Sequence, residues 1–353
     1  MVMQGRKKKS KGTKLAEAKM SLADWLADNP DKAVTMASGP RKGVPHVALG
    51  NFILDNIVFG IGGLPFGRVI EIYGPESAGK TTWACQIVAA FQRAGHVASY
   101  IDTEHAFDPD YFEALGGSLD KDRFCFSQPE SGEEAFNISV SQLRAGWPGV
   151  MVFDSVANMV PREELDGEMD TKGMGLQARM MAKGLRKITA FASKRKCLVI
   201  FINQIRHKIG VLFGSPETTP GGNALKFYAS MRFDIRAVGK IKVDGEVVGN
   251  KTRIRCVKNK MAAPFKEAIL EMYFGKGIVD AASLFEIAYL NNIGVSRKNN
   301  SWFLGGSERG VVGKDAARRE FMADPYLQAE VEERALSRIK RGKTLEVPVL
   351  ERE

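Results

Sequence analysis

Residues Gly74-Pro75-Glu76-Ser77-Ala78-Gly79-Lys80-Thr81 read G-x-x-x-x-G-K-T. This octapeptide, with Thr82 after it, restricts what the chain can fold into more than any other stretch. Such a loop needs a buried strand before it and a helix after it. Val69-Ile70-Glu71-Ile72-Tyr73 supplies a short apolar strand, and Thr82 to Phe91 carries apolar residues at helical spacing, with a stop at Gly95. The two glycines let backbone N–H groups turn inward on phosphate oxygens, and the helix adds the positive end of its dipole. Lys80 is placed to reach β- and γ-phosphates, and the Thr81 hydroxyl to hold Mg²⁺. A nucleoside triphosphate is the expected ligand.

Further strands follow at intervals. Val97–Asp102 runs into Thr103-Glu104-His105, Val150–Asp154 is apolar and ends in an acid, and Cys197–Ile202 ends at Asn203-Gln204. Between them, Ser131-Gly132-Glu133-Glu134 has the S-x-x-E capping pattern ahead of a helix through about Leu143. A weakly amphipathic helix spans about Leu176 to Ser193. Strands alternating with helices predict an α/β fold, with a mostly parallel sheet and ligands at the strands' carboxyl ends. One end of the sheet reads differently, as β-rich segments near Met231–Val238, Thr252–Val257 and Ala268–Phe274. Past Gly275-Lys276-Gly277, a helix at Leu284–Leu290, a strand at Ser301–Leu304 and a charged helix at Leu327–Ile339 predict a small α+β C-terminal domain. The expected division is 1–45, 46–276 and 277–353.

Charge narrows the partner. A net +10, from 51 Lys and Arg against 41 Asp and Glu, favours a polyanion, most simply nucleic acid. Residues 1–14 concentrate part of it in Arg6-Lys7-Lys8-Lys9, Lys11 and Lys14, either a solvated end or a nucleic-acid arm. Apolar residues at helical spacing from Leu15 to Ala27 then form a short helical segment before the linker Ser38–Gly43. Too short to bury its own apolar face, that helix is expected to dock on this chain or on another copy. Cys85, Cys125, Cys197 and Cys256 show no C-x-x-C pairing, so a reducing, cytoplasmic setting is expected, without a zinc site. No run is long and apolar enough to span a membrane.

The chemistry belongs at the strand ends. Asp154 is expected beside the phosphate loop as an Mg²⁺ ligand, on the premise that neighbouring strands share one sheet edge. Glu104 is the candidate base for the attacking water, which separates an enzyme from a passive binder. Gln204 is an amide able to meet a γ-phosphate. Two long segments, about 161–175 and 204–222, are candidate binding loops. Lys258 and Lys260 alternate onto one strand face, as solvated cations or as groups serving a phosphate from an adjacent subunit.

These residues, taken together, resemble a known family. Gly74–Thr82, Ile101–Pro109, Phe153–Ala157, Met174–Leu176, Ala178–Met181, Phe201–Arg206, Pro216–Thr219 with Gly221–Ser230, and Val257–Lys260 are similar to the bacterial RecA recombinases. The similarity covers roughly Ile61 to Gly277. It implies an ATP-dependent strand-exchange protein, forming a helical filament on single-stranded DNA and pairing it with homologous duplex DNA. Carried over, Lys80 and Thr81 match the phosphate and Mg²⁺ ligands, Glu104 the base, Asp154 the Walker-B acid and Gln204 the γ-phosphate sensor. Asp108 and Tyr111 match adenine contacts, and Lys258 and Lys260 the cations that reach ATP across the subunit interface. Met174, Arg179, Arg186, Arg206, Lys208, Ile209, Gly221, Gly222 and Asn223 match DNA-contact positions. Phe274 stands where relatives usually carry tyrosine, residues 1–45 differ from the bacterial N-terminal region, and the chain lacks the strongly acidic end of many relatives. The competing readings are a hexameric P-loop DNA motor, a P-loop kinase and a non-hydrolysing DNA coat. The basic balance and the loop after Gln204 disfavour a kinase, and Glu104 disfavours a passive coat.

Overall fold

The computed structural model describes residue 28 and residues 43–168, 175–207 and 216–348. The helix expected at Leu15–Ala27 therefore lies outside the described residues. The chain divides into two compact units between Gly43 and Val44, and everything below belongs to the second.

In chain order, β1 (Val69–Gly74) feeds α1 (Lys80–Arg93), then β2 (Val97–Asp102), α2 (Pro109–Ala114), β3 (Phe124–Ser127), α3 (Gly132–Ala145) and β4 (Pro148–Asp154). The long helix α4 (Leu176–Arg195) leads to β5 (Leu198–Gln204), and α5 (Ala224–Tyr228) to β6 (Met231–Val243), β7 (Glu246–Asn259), β8 (Glu267–Tyr273) and β9 (Gly277–Ile278). All nine strands form one sheet, ordered β9-β8-β7-β6-β1-β5-β4-β2-β3. From β6 to β3 the pairings are parallel, and from β6 outward to β9 they are antiparallel. The α/β architecture and mostly parallel sheet are as the alternation of strands and helices predicts.

Local chemistry sets the ends of these elements. α1 starts after Gly79 (φ 90°), and Gly95 (φ 86°) follows its close at Arg93. At α3 the Ser131 hydroxyl accepts from Glu134 N at 3.2 Å. Glu134 reaches back one residue further than a capping box does, accepting from Glu130 N at 2.9 Å. β4 opens at Pro148, a first-residue position where a proline withholds no ladder bond. β6 and β7 run past their expected ends into a long hairpin that turns at Asp244-Gly245, both with positive φ, a pair suited to a tight primed turn.

Two apolar layers cover the sheet. Ile70 and Ile72 of β1 pack with Trp83, Ile87 and Phe91 of α1, whereas Val69 joins Phe153, Phe201, Phe136 and Leu185 on the opposite face. Phe153 and Phe201 stack with centroids 4.4 Å apart. Glu71 and Tyr73, in step with Val69, point to that second face. Past β9, α6 (Asp280–Leu290), a three-stranded antiparallel sheet of β10 (Val295–Lys298), β11 (Ser301–Leu304) and β12 (Val311–Val312), then α7 (Lys314–Met322) and α8 (Pro325–Lys340) complete the described chain. Phe285, Trp302 and Phe321 pack together there within the same apolar cluster as α1. Among the described residues no helix is long and apolar enough to cross a membrane.

Candidate active site

The carboxyl ends of β1, β2, β4 and β5 open on one cleft of about 490 Å³, within the size range of small-ligand sites. Its floor is the loop between β1 and α1. A side chain at Gly74 would sit 2.1 Å from the Ile235 carbonyl oxygen, so only glycine lets β1 approach β6 there. Lys80 opens α1 and folds back over the loop, its Nζ donating to the Pro75 carbonyl at 2.6 Å. Burial lowers the ammonium's pKa, against the pull of Asp154, Glu104 and Glu76.

Asp154 reaches this loop although β4 is not the neighbour of β1. β5 lies between them. The premise of adjacent strands is thus corrected: it is the shared carboxyl edge, with a side chain spanning β5, that brings acid and loop together. Thr81 Oγ1 donates to Asp154 Oδ2 at 2.8 Å, and Tyr100 OH donates to the same oxygen at 2.7 Å. The carboxylate is 5 % exposed, and burial pushes its pKa up to about 6 despite those two donors, with Glu104 and Asp102 adding to the rise. A buried carboxylate and a hydroxyl at a phosphate loop are hard oxygen donors of the kind Mg²⁺ takes. Among the described residues no group of three His, Cys, Asp or Glu side chains could hold a metal by itself. Thr81 and Asp154 therefore fit a cation that completes its shell with phosphate oxygens and water.

Glu104 sits where the β2 turn is strapped to the end of β4. Thr103 N and Glu104 N both donate to the Asp154 carbonyl, at 2.7 and 3.2 Å, and Thr103 Oγ1 donates to the Ser155 carbonyl at 2.8 Å. The Asp154–Ser155 peptide is cis. Glu104 Oε1 then accepts from Ser155 Oγ and, at 3.0 Å, from Gln204 Nε2. So the acid at the end of β2 and the amide at the end of β5 are in direct contact. Ser155 and Tyr100 were not singled out from the sequence. A serine after an acid and a tyrosine inside an apolar strand carry no signal until the strands are assembled.

Tyr111 lines the cleft, its hydroxyl 2.9 Å from Thr82 Oγ1, and Phe274 and Asn250 line it as well. Asp108 does not line the cleft; it caps α2, accepting from Tyr111 N at 3.0 Å. Glu76, Ser77, Gly79 and Thr82 line it, while Pro75 and Ala78 belong to the loop behind.

Lys258 and Lys260 do not line this chain's own cleft. Their amines meet at the end of α5, Lys258 donating to the Lys226 and Phe227 carbonyls at 2.6 and 3.2 Å and Lys260 to Phe227 at 3.3 Å. Of the expected DNA contacts, Met174, Lys208 and Ile209 lie outside the described residues. Arg179 and Arg186 are exposed on α4, and Arg206 is exposed just after β5. Arg206-His207 pairs with Glu217-Thr218 as a short antiparallel ladder, which brings the two ends of segment 204–222 together. Gly221 N donates to Gln177 Oε1 at 3.1 Å, and a side chain on Gly222 would come within 2.9 Å of Ala178 Cβ. The Gly221–Asn223 turn is therefore held against the start of α4, near Arg179.

A family model for the RecA N-terminal domain matches residues 31–279. The chain is 46 % identical over 313 residues to Protein RecA of Rubrobacter xylanophilus, covering 88 % of this chain and 90 % of that one. It is 48 % identical over 312 residues to Protein RecA of Parvibaculum lavamentivorans, covering 88 % and 84 %. Protein RecA of Acinetobacter baylyi is 48 % identical over 289 residues, covering 82 % and 81 %. With the phosphate loop, the acid–amide contact and these matches running through the same residues, the chain belongs to the RecA family of ATP-hydrolysing DNA recombinases.

Proposed function

We propose that this recombinase hydrolyses ATP in the cleft between the phosphate loop and Glu104, with Mg²⁺ held by Thr81 and Asp154, and that Gln204 reports the nucleotide's state to a single-stranded DNA site. ATP brings the phosphoryl group to be transferred, and Mg²⁺ when bound neutralises charge on its oxygens. The chain's part is to orient and to exclude. The loop's N–H groups and Lys80 hold the phosphates, and exchanging the Pro75 carbonyl for a phosphate oxygen gives the half-buried ammonium an anionic partner. With Glu104 Oε1 taken by Ser155 and Gln204, Oε2 is the oxygen that accepts a proton from the attacking water. Tyr111 and Phe274 offer aromatic surface to the base.

The observation that carries this reading is the 3.0 Å contact between Gln204 Nε2 and Glu104 Oε1. The amide that opens segment 204–222 spends one N–H on the hydrolytic acid, and its second N–H is the donor that a γ-phosphate, absent from ADP, takes. That differential contact is what a ligand needs to shift a conformational equilibrium. Arg206 and Lys208 beyond it, with Arg179, Arg186 and Gly221–Asn223, supply the DNA face. Lys258 and Lys260, remote from their own cleft, serve the ATP of an adjacent copy in a filament whose DNA partners are a single strand and a homologous duplex.

Gln204→Ala tests the reading. It should bind a non-hydrolysable ATP analogue within about twofold of wild type yet lose the difference in single-stranded DNA affinity between analogue and ADP, normally about tenfold or more for a coupling of this kind. DNA-binding isotherms in both nucleotides decide it. A variant that still binds DNA far tighter with the analogue would put the switch elsewhere.

A further inference from the structure

Behind Gln204 lies a buried ionic cluster that the hydrolytic site does not use. Glu71, in the middle of β1, is fully buried, as is Asn203 at the end of β5. Glu71 Oε1 accepts from Asn203 Nδ2 at 3.0 Å, and Oε2 accepts from Arg232 Nε at 2.5 Å. Arg232 is paired directly with Glu71 across β6 and β1, and its guanidinium lies over the Tyr73 ring, 4.7 Å from the centroid. The other two functions of the Asn203 amide are also engaged. Its Nδ2 donates to the Pro220 carbonyl at 3.2 Å, and its Oδ1 accepts from Gln204 N at 3.0 Å.

We propose that Glu71 is a positioning residue for the nucleotide switch: by fixing the Asn203 amide it sets the backbone of Gln204 and ties that residue to Pro220, the returning end of segment 204–222. The chemistry requires an acceptor at Glu71. Asn203 can bond both Gln204 N and Pro220 O only with Oδ1 toward the first and Nδ2 toward the second, which leaves its remaining N–H facing Glu71. A carboxylate accepts that N–H on one oxygen and Arg232 on the other. A lone glutamine cannot, since it would set donor against donor at one end. Turning Asn203 to relieve this would break its bond to Gln204 N. Movement of Gln204 toward or away from a phosphate thus passes through Asn203 to Pro220, and so to the Gly221–Asn223 turn, while Glu71 and Arg232 hold the pivot.

This inference rests on the switch role of Gln204, and the test separates the two. The readout is the ratio of single-stranded DNA affinities with a non-hydrolysable ATP analogue and with ADP, using the full chain. Two charge-neutral pairs are compared. In Glu71→Gln/Arg232→Gln, the amide introduced on β1 accepts from Asn203 and donates to the amide introduced on β6, so the ratio should stay within about threefold of wild type. In Glu71→Met/Arg232→Met the buried pair becomes apolar, which a folded protein tolerates, but Asn203 loses its acceptor; the ratio should fall about tenfold or more while nucleotide affinity holds within about twofold. If the methionine pair does not fold, Glu71→Leu/Arg232→Met, an apolar pair of different shape, takes its place, with the same loss expected. A folded apolar pair of either kind that keeps the wild-type ratio overturns the proposal, as does a glutamine pair that loses as much as the apolar pair. If Gln204→Ala also keeps the ratio, the switch reading itself has failed; if Gln204→Ala loses it, only the role of Glu71 has.

Discussion

Ser155 shows how a residue without sequence signal acquires a role from its neighbours. Its hydroxyl donates to Glu104 Oε1 beside the Gln204 amide, so two donors fix the rotamer of one acid. A hydrogen bond to a charged group contributes about 1.5–3 kcal/mol. Ser155→Ala should therefore lower kcat about tenfold, with KM for ATP moved less than about twofold, because the lost bond orients the base and touches no ground-state phosphate contact. Steady-state kinetics on the purified variant check this; an unchanged kcat would mean that Gln204 alone orients Glu104. The phosphate loop, Asp154, Glu104 and Gln204 were legible in the sequence because each sits at a fixed offset from an apolar strand. Tyr100, Ser155 and Glu71 were not, since their partners lie on other strands and no spacing links them.

At the scale of elements, the four-residue edge strand β3, with only Phe124 buried, was missed, but the inner parallel strands β1, β2, β4 and β5 were legible to within a residue or two, as continuous apolar runs ending in polar residues. The hairpin of β6 and β7 was not. Gly239, Lys240 and Lys242 break the apolar alternation beyond the sheet's covered part, where both faces meet water. α7 was missed for a related reason: only Ala317 and Phe321 of its nine residues are buried, too few to print a helical period. The end of β7 carries the strongest prediction at this scale. Lys258 and Lys260 converge on the α5 carbonyls and away from their own cleft. Lys258→Ala should cut DNA-dependent turnover while sparing nucleotide binding by the isolated chain. Mixed one to one with Glu104→Gln, it should recover activity at roughly a quarter of interfaces if assembly is random, as a head-to-tail contact requires. Absence of any recovery, with co-assembly demonstrated, would rule out a site shared between copies.

The whole molecule also titrates. Asp280 opens α6 and accepts from Phe52 N at 2.8 Å, and its pKa is raised from 3.8 to about 7, chiefly by burial, with Glu332 and Asp55 adding to the rise. Asp55 is raised to about 6, again mainly by burial. For an acid whose folded pKa lies above its unfolded value, the stabilising contribution is complete below the unfolded pKa and disappears as pH rises through the folded one. The protein should thus lose stability between about pH 4 and 7 from these groups. Asp280→Asn keeps an acceptor for Phe52 N and removes the charge, so it should melt higher than wild type at pH 8, by on the order of 1–2 kcal/mol, and equally at pH 4. Thermal melts at both values decide it, and an Asn variant less stable at pH 8 would show that the charge is satisfied in the fold.

The measurement bearing most directly on the central claim is the rate of ATP hydrolysis by the purified chain with and without single-stranded DNA, run beside Glu104→Gln. DNA should raise the wild-type rate about tenfold or more through the Gln204 coupling, and Glu104→Gln should lower the stimulated rate by about 10²–10⁴ through loss of the base. A wild-type rate that ignores DNA, or a Glu104→Gln rate that matches wild type, would contradict a DNA-switched ATPase built on this cleft.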